Sequence, residues 1–252
     1  MPQLRRSSRD PRTVARDIPG ILDALFPQLA PGVVLHLNNE SFPIGACEPI
    51  DETLVAESRL QNAMLFEIAY AVTEQWVPDQ SIAIDWEVAL AAAVRRQRGH
   101  FDAKLPDNLE AADRQVVVGV ARNAVQMLSS LATLEQVVKS PFIPGLQWIS
   151  SGVGDFSFGR TLVEMKCTAR RFGASDYRQI LMYWLLSYAA SIEGRGAEWE
   201  EGVLMNPRLN LIVVVNFDTL LRTVAAGRTK VEVLELFRWL IGDHSGLLIE
   251  QV

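Results

Sequence analysis

Cysteine is almost missing from this chain. Cys47 and Cys167 are the only two in 252 residues, and with no CxxC spacing they exclude a disulfide framework and fit a reducing, cytoplasmic setting. Of three histidines, His36 and His244 lack a second His or Cys at ligand spacing, which leaves structural zinc without a ligand set. No apolar run approaches the roughly 20 residues needed to span a bilayer, so no membrane span is expected. The Arg-rich start (Arg5, Arg6, Arg9, Arg12 and Arg16) is not followed by an apolar segment, so it reads as a flexible basic arm rather than a secretory signal. There is no internal repeat, low-complexity tract, Walker motif, dinucleotide fingerprint or HExxH, which removes motor and zinc-protease chemistry. The rest is ordinary: 49% hydrophobic and 21% charged residues, enough chain for one generous domain or two small ones.

What is present concentrates between positions 152 and 183. In Leu162-Val163-Glu164-Met165-Lys166-Cys167-Thr168, period-two alternation puts Val163, Met165 and Cys167 on one face of a strand and Glu164, Lys166 and Thr168 on the other. Same-face neighbours lie about 6.6 Å apart, so Glu164 and Lys166 serve one small site. Asp155 heads the alternation Phe156-Ser157-Phe158, and Gly159-Arg160 reads as the turn into the Glu164 strand, which sets the two acids across a hairpin. Mg²⁺ (or Mn²⁺) is commonly held by one or two carboxylates together with water and substrate phosphate. Such an ion polarises a phosphate and acidifies a bound water, while Lys166 orients that water or offsets developing charge. The competing reading is a hairpin with a solvated Glu and Lys on its outer face. A helix over 175–193, apolar around most of its circumference, bears Gln179 and Tyr183 at i,i+4 near its start, where both face the same site. Asp176 before them reads as a helix-start residue.

Asp155, then Glu164-x-Lys166, then Gln179-x-x-x-Tyr183 resembles the PD-(D/E)XK, or restriction-endonuclease-like, nuclease superfamily. The Gly-x-Gly-Asp lead-in and the Gln-x-x-x-Tyr helix are similar to its RecB-like and exonuclease-like branches, over roughly 108–217. The resemblance implies an α/β core ordered helix, three-stranded meander, helix, strand. It further implies Asp155 and Glu164 as metal ligands, with Lys166, Gln179 and Tyr183 completing a catalytic site for phosphodiester hydrolysis of DNA. A role in bacterial defence, restriction, repair or mobile-element processing is the accompanying expectation. Members often add an acid from the preceding helix, for which Glu110 and Asp113 are the candidates, and RecB-like members add an upstream His, for which His100 is the nearest match. Asp107 followed by Glu110 also resembles a capping box, a purely structural role.

Beyond this core, the pattern predicts helices over 59–76, 85–98, 108–134 and 229–241. Strands are expected over 33–37, 146–150, 202–205 and 209–217, the run 211–215 being covered on both faces. Residues 1–80 form a mostly helical region with the basic arm, and 81–252 the nuclease-like domain with a C-terminal helix; the boundary is set at Pro78-Asp79, although direct packing of the two regions fits equally. The formal charge of −6 opposes nucleic-acid binding in general. Locally, Arg160, Lys166, Arg170, Arg171 and Arg178 outnumber Glu164 and Asp176. Arg160, Arg170 and Arg171 are therefore the candidate phosphate contacts, and the modest overall charge points to a protein partner, or a second copy of the chain, that helps recruit DNA. The leading function is a metal-dependent deoxyribonuclease. The alternative is a non-catalytic module of the same fold that binds DNA or a partner.

Overall fold

Proline opens each of the first three helices, α1 (Pro11–Asp17), α2 (Pro19–Leu25) and α3 (Pro31–Asn39). At the first helical position its fixed φ suits the helix and its missing N–H costs nothing. The computed structural model describes residues 8–98 and 106–247. The described part of the arm is thus ordered: Asp10 caps α1 by accepting from the Arg12 N–H at 2.8 Å, and Val14 and Ala15 are buried. Positions 33–37, expected as a strand, lie inside α3, where Pro31 starts a helix that buries Val34 and Asn38.

Helices α4 (Glu52–Glu57), α5 (Asn62–Trp76), α6 (Trp86–Gln97) and α7 (Ala111–Leu131) follow. The cap of α7 sits three residues later than expected. Glu110 is the N-cap, and the Asp113 carboxylate accepts from the Glu110 N–H at 2.8 Å. Positions 80–81 fall in the turn between α5 and α6, which pack against each other with α7 around Ile68, Ala93 and Val117.

A mixed sheet comes next, built from β1 (Val138–Lys139), β4 (Phe156–Phe158), β5 (Thr161–Met165), β6 (Glu201–Asn206) and β7 (Leu211–Asn216) in that spatial order. β1, β4 and β5 are antiparallel, whereas β5 and β6 run parallel, joined by the crossover helix α8 (Ala174–Ile192). A separate hairpin of β2 (Phe142–Ile143) and β3 (Gly152–Val153) is inserted between β1 and β4. It occupies the place expected for a strand at 146–150. Those residues instead form a tight turn, with Leu146 and Ile149 exchanging backbone hydrogen bonds and Gln147 in the left-handed region at φ 53°. Gly145 is required there, since a Cβ would sit 2.6 Å from the Ile149 carbonyl oxygen. Helices α9 (Phe217–Val224) and α10 (Lys230–Leu247) close the chain.

The sheet is sandwiched between helical layers. Phe156, Val163, Met165 and Val203 face α5 and α7, while Leu162, Leu204 and Val213 face α8 with the N- and C-terminal helices. β7 is an edge strand, and Val214 stays 38% exposed, so the run 211–215 is not covered on both faces. Phe42 pairs with Ile212 through two backbone hydrogen bonds and shields part of that edge. Among the described residues, no helix is long and apolar enough to cross a membrane.

Candidate active site

The β4–β5 register pairs Phe156 with Val163 and Ser157 with Leu162. One further step sets Asp155 opposite Glu164, a separation of about 5 Å between Cβ atoms for a cross-strand pair. The Asp155 carboxylate also accepts from the Met165 N–H at 2.8 Å, which fixes it to the Glu164 strand. Alternation then turns Val163 and Met165 to one side, and Glu164 and Lys166 toward α8. That second face is not solvated. Glu164 is 2% exposed and Asp155 4%, which removes the reading of an exposed outer pair.

Helix α8 supplies the connection. The Gln179 amide accepts from Lys166 Nζ at 2.7 Å and donates to Glu164 Oε1 at 2.7 Å and to the Tyr183 hydroxyl at 3.0 Å. Lys166 Nζ also donates to Glu164 Oε1 at 2.9 Å and lies 3.9 Å from Asp176. Asp176 accepts from the Gly173 N–H at 2.7 Å, a first-turn contact that starts α8. Asp155, Glu164, Lys166, Gln179 and Tyr183 are thus brought into one bonded cluster at the end of β5.

Two further residues join it. Arg12, 143 positions before Asp155, donates to Asp155 Oδ1 at 3.1 Å, to the Val153 carbonyl at 3.3 Å and, through Nε, to the Tyr183 hydroxyl at 2.7 Å. Tyr70 on α5 donates to the Asp155 backbone carbonyl at 2.9 Å from the opposite side of the sheet. The Asp10-Pro11 start signal of α1 was the available clue to Arg12. Nothing local in the sequence singles out Tyr70.

Other candidates have different duties. Glu110 pairs with Arg59, and Asp113 is buried in the cap of α7, accepting from Ser58 at 2.7 Å. Arg160 is at the hairpin tip, about 13 Å along β5 from Glu164 at 3.3 Å per residue, and is ion-paired with Glu200. Arg178 pairs with Asp23 and Arg170 with Asp176 at 3.1 Å, so the local cation excess is largely neutralised within the fold. Arg171 donates to the Asn38 carbonyl at 3.4 Å and, like Arg170, is exposed. His100 lies outside the described residues.

Burial and the charge of Glu164 push the Asp155 carboxyl up to about 7, against the pull of Arg12 and Lys166. Burial and the same carboxylates push the Tyr183 hydroxyl far up, so it stays protonated. With two donors already directed at its oxygen, its own O–H is left to donate. Asp155 keeps its proton in the folded protein at pH values where the unfolded chain has released it, so folding takes up a proton between about pH 4 and 7. Stability of the metal-free protein is expected to fall as pH rises across that window and then level off. Melting curves from pH 4.5 to 8 check this: Asp155→Asn should flatten the dependence, and an unchanged slope would assign it to other groups.

The cluster fits a divalent cation. Glu164 Oε2 is buried with no hydrogen-bond partner, and an unsatisfied carboxylate oxygen in a cluster that holds a second, electrostatically interacting carboxylate suits a hard cation. No group of three or more His, Cys, Asp or Glu converges among the described residues, so the protein's share of the coordination would come from the two carboxylates. Comparison with protein-family models, with curated proteins and with solved structures returns no match to this chain, so its functional reading rests on the geometry of this cluster.

Proposed function

We propose that the chain is a metal-dependent nuclease of the PD-(D/E)XK type that hydrolyses phosphodiester bonds of DNA. The observation that supports it best is the buried Glu164, its second oxygen unpartnered, held between Asp155 across the hairpin and the Lys166–Gln179 pair. The order of elements in the main sheet agrees: α7, the three antiparallel strands β1, β4 and β5, then α8 and the parallel strand β6. Asp155 and Glu164 would hold Mg²⁺ or Mn²⁺, which supplies Lewis-acid polarisation of the phosphate and an acidified water. Lys166 places an ammonium where negative charge grows on the phosphate oxygens. Gln179 holds Lys166 and Glu164 in register, and Tyr183 offers a hydroxyl proton from the same helix face. Incubation of the purified protein with plasmid, linear and single-stranded DNA, in Mg²⁺, Mn²⁺ or EDTA, tests the assignment. Cleavage that EDTA abolishes supports it, and intact DNA in every metal overturns it.

A second reading has its own observation. Arg12 and Lys166 lie 3.1 and 2.9 Å from the two carboxylates, a paired arrangement that also suits a non-catalytic module binding DNA or a protein. DNA binding without cleavage would favour it. Under either reading Arg170 and Arg171 are the exposed cations between β5 and α8. Replacing both with Ala is expected to lower DNA affinity and flatten its salt dependence by up to about two units of slope, at roughly 0.9 per phosphate contact. An unchanged slope would leave them as helix-start and loop contacts alone.

A further inference from the structure

Arg12 does not belong to the sequence motif, yet it holds one of the motif's two carboxylates. Its backbone is fixed from both sides. Arg9 donates to the Trp148 carbonyl at 3.2 Å and accepts from the Ser150 N–H at 2.9 Å, while α1 packs against α8. The guanidinium enters the cluster from this support, while the Arg12 side chain as a whole remains 42% exposed, so the residue sits between the buried carboxylates and solvent.

Resting on the nuclease reading, we propose that Arg12 is a substrate-contacting catalytic residue that grips the reacting phosphodiester opposite Lys166. Asp155 and Glu164 would hold a divalent cation, whose positive charge would compete with the guanidinium for the Asp155 carboxylate to which Arg12 now donates. The Arg12–Asp155 bond then gives way. Nε bonded to the Tyr183 hydroxyl at 2.7 Å and the longer Nη2 contact to the Val153 carbonyl at 3.3 Å would keep the side chain in place, while the donor capacity now directed at Asp155 becomes available. The anion arriving at that moment is the phosphate, whose paired oxygens match the planar guanidinium fork in a way that a lysine ammonium does not. Burial alone would depress the Arg12 guanidinium, but Asp155 and Glu164 push it further up, and a guanidinium keeps its charge in proteins in any case.

The test compares wild type, Arg12→Ala and Arg12→Lys in single-turnover DNA cleavage and, separately, in calorimetric Mn²⁺ titration. Arg12→Ala should cleave about 100-fold more slowly or worse, the loss typical of one transition-state donor, with Mn²⁺ affinity kept or tightened because a competitor for Asp155 has gone. Added guanidinium ion should restore part of the Arg12→Ala rate, and Arg12→Lys should remain impaired. Faster cleavage by Arg12→Ala together with tighter Mn²⁺ binding would overturn the proposal and make Arg12 only a lock on the carboxylates. Slow cleavage with weakened Mn²⁺ binding and no rescue would overturn it in favour of a structural role. A wild-type protein that cleaves beside an equally active Arg12→Ala removes this proposal alone. One that cleaves no DNA removes the nuclease reading and this proposal with it.

Discussion

Glu164→Gln should abolish metal-dependent cleavage while leaving the protein folded, and Lys166→Ala should do the same at some cost in stability. The Gln replacement keeps an oxygen that can accept from Lys166 and an amide of nearly the same shape, so the bonds now made to Glu164 Oε1 at 2.9 and 2.7 Å can persist. What it removes is the negative charge, and with it half of the carboxylate pair. Lys166→Ala removes the ammonium that meets developing charge, a loss of at least about 10²- to 10³-fold when one such group is deleted. It also strips a cation from a buried carboxylate, which costs about 3 kcal/mol or more, so an earlier but still cooperative melt should accompany it. Turnover within a few-fold of wild type in either variant would detach the chemistry from this pair.

Trp184→Ala should produce the largest stability loss short of unfolding. Trp184 is fully buried on α8, stacked on Tyr188 at 5.5 Å and on Phe217 at 5.9 Å, and its indole N–H donates to Glu198 at 2.9 Å. Truncation of a buried Trp removes about 3–5 kcal/mol through lost transfer energy and the cavity left behind. For a chain of this length that lowers Tm by roughly 10 °C, at about 2–4 °C per kcal/mol. The same helix presents Gln179 and Tyr183 to the carboxylates, so the variant should lose activity in step with its melting, and at low temperature recover much of it. A shift below about 3 °C would mean that α8 is held by other contacts.

The hairpin and its partner helix were legible in the sequence because both signals are local. Alternation over 162–168 set the faces of β5, and the i,i+4 spacing of Gln179 and Tyr183 set one face of α8. The placement of Glu164 in the interior was less legible, since alternation shows which residues share a face and not what covers it. Arg12 was hidden by distance along the chain: five arginines in the first sixteen positions look like a solvated arm until Asp10 and Pro11 are taken together as the start of a helix. The misassigned strands have equally physical causes. At 33–37, β-branched residues follow a proline that begins a helix, and at 146–150 a left-handed Gln147 turns an apolar run back on itself. The cation excess between Phe158 and Arg178 was counted along one segment, while Asp23 and Glu200, which neutralise part of it, come from other elements.

The central claim is that Asp155 and Glu164 together hold a divalent cation, and titrating Mn²⁺ into the metal-free protein by calorimetry tests it most directly. The predicted result is a saturable site in the wild type that is lost or strongly weakened in both Asp155→Asn and Glu164→Gln, with each variant still melting cooperatively. Mn²⁺ affinity that is undetectable in the wild type, or unchanged in both variants, would contradict the account.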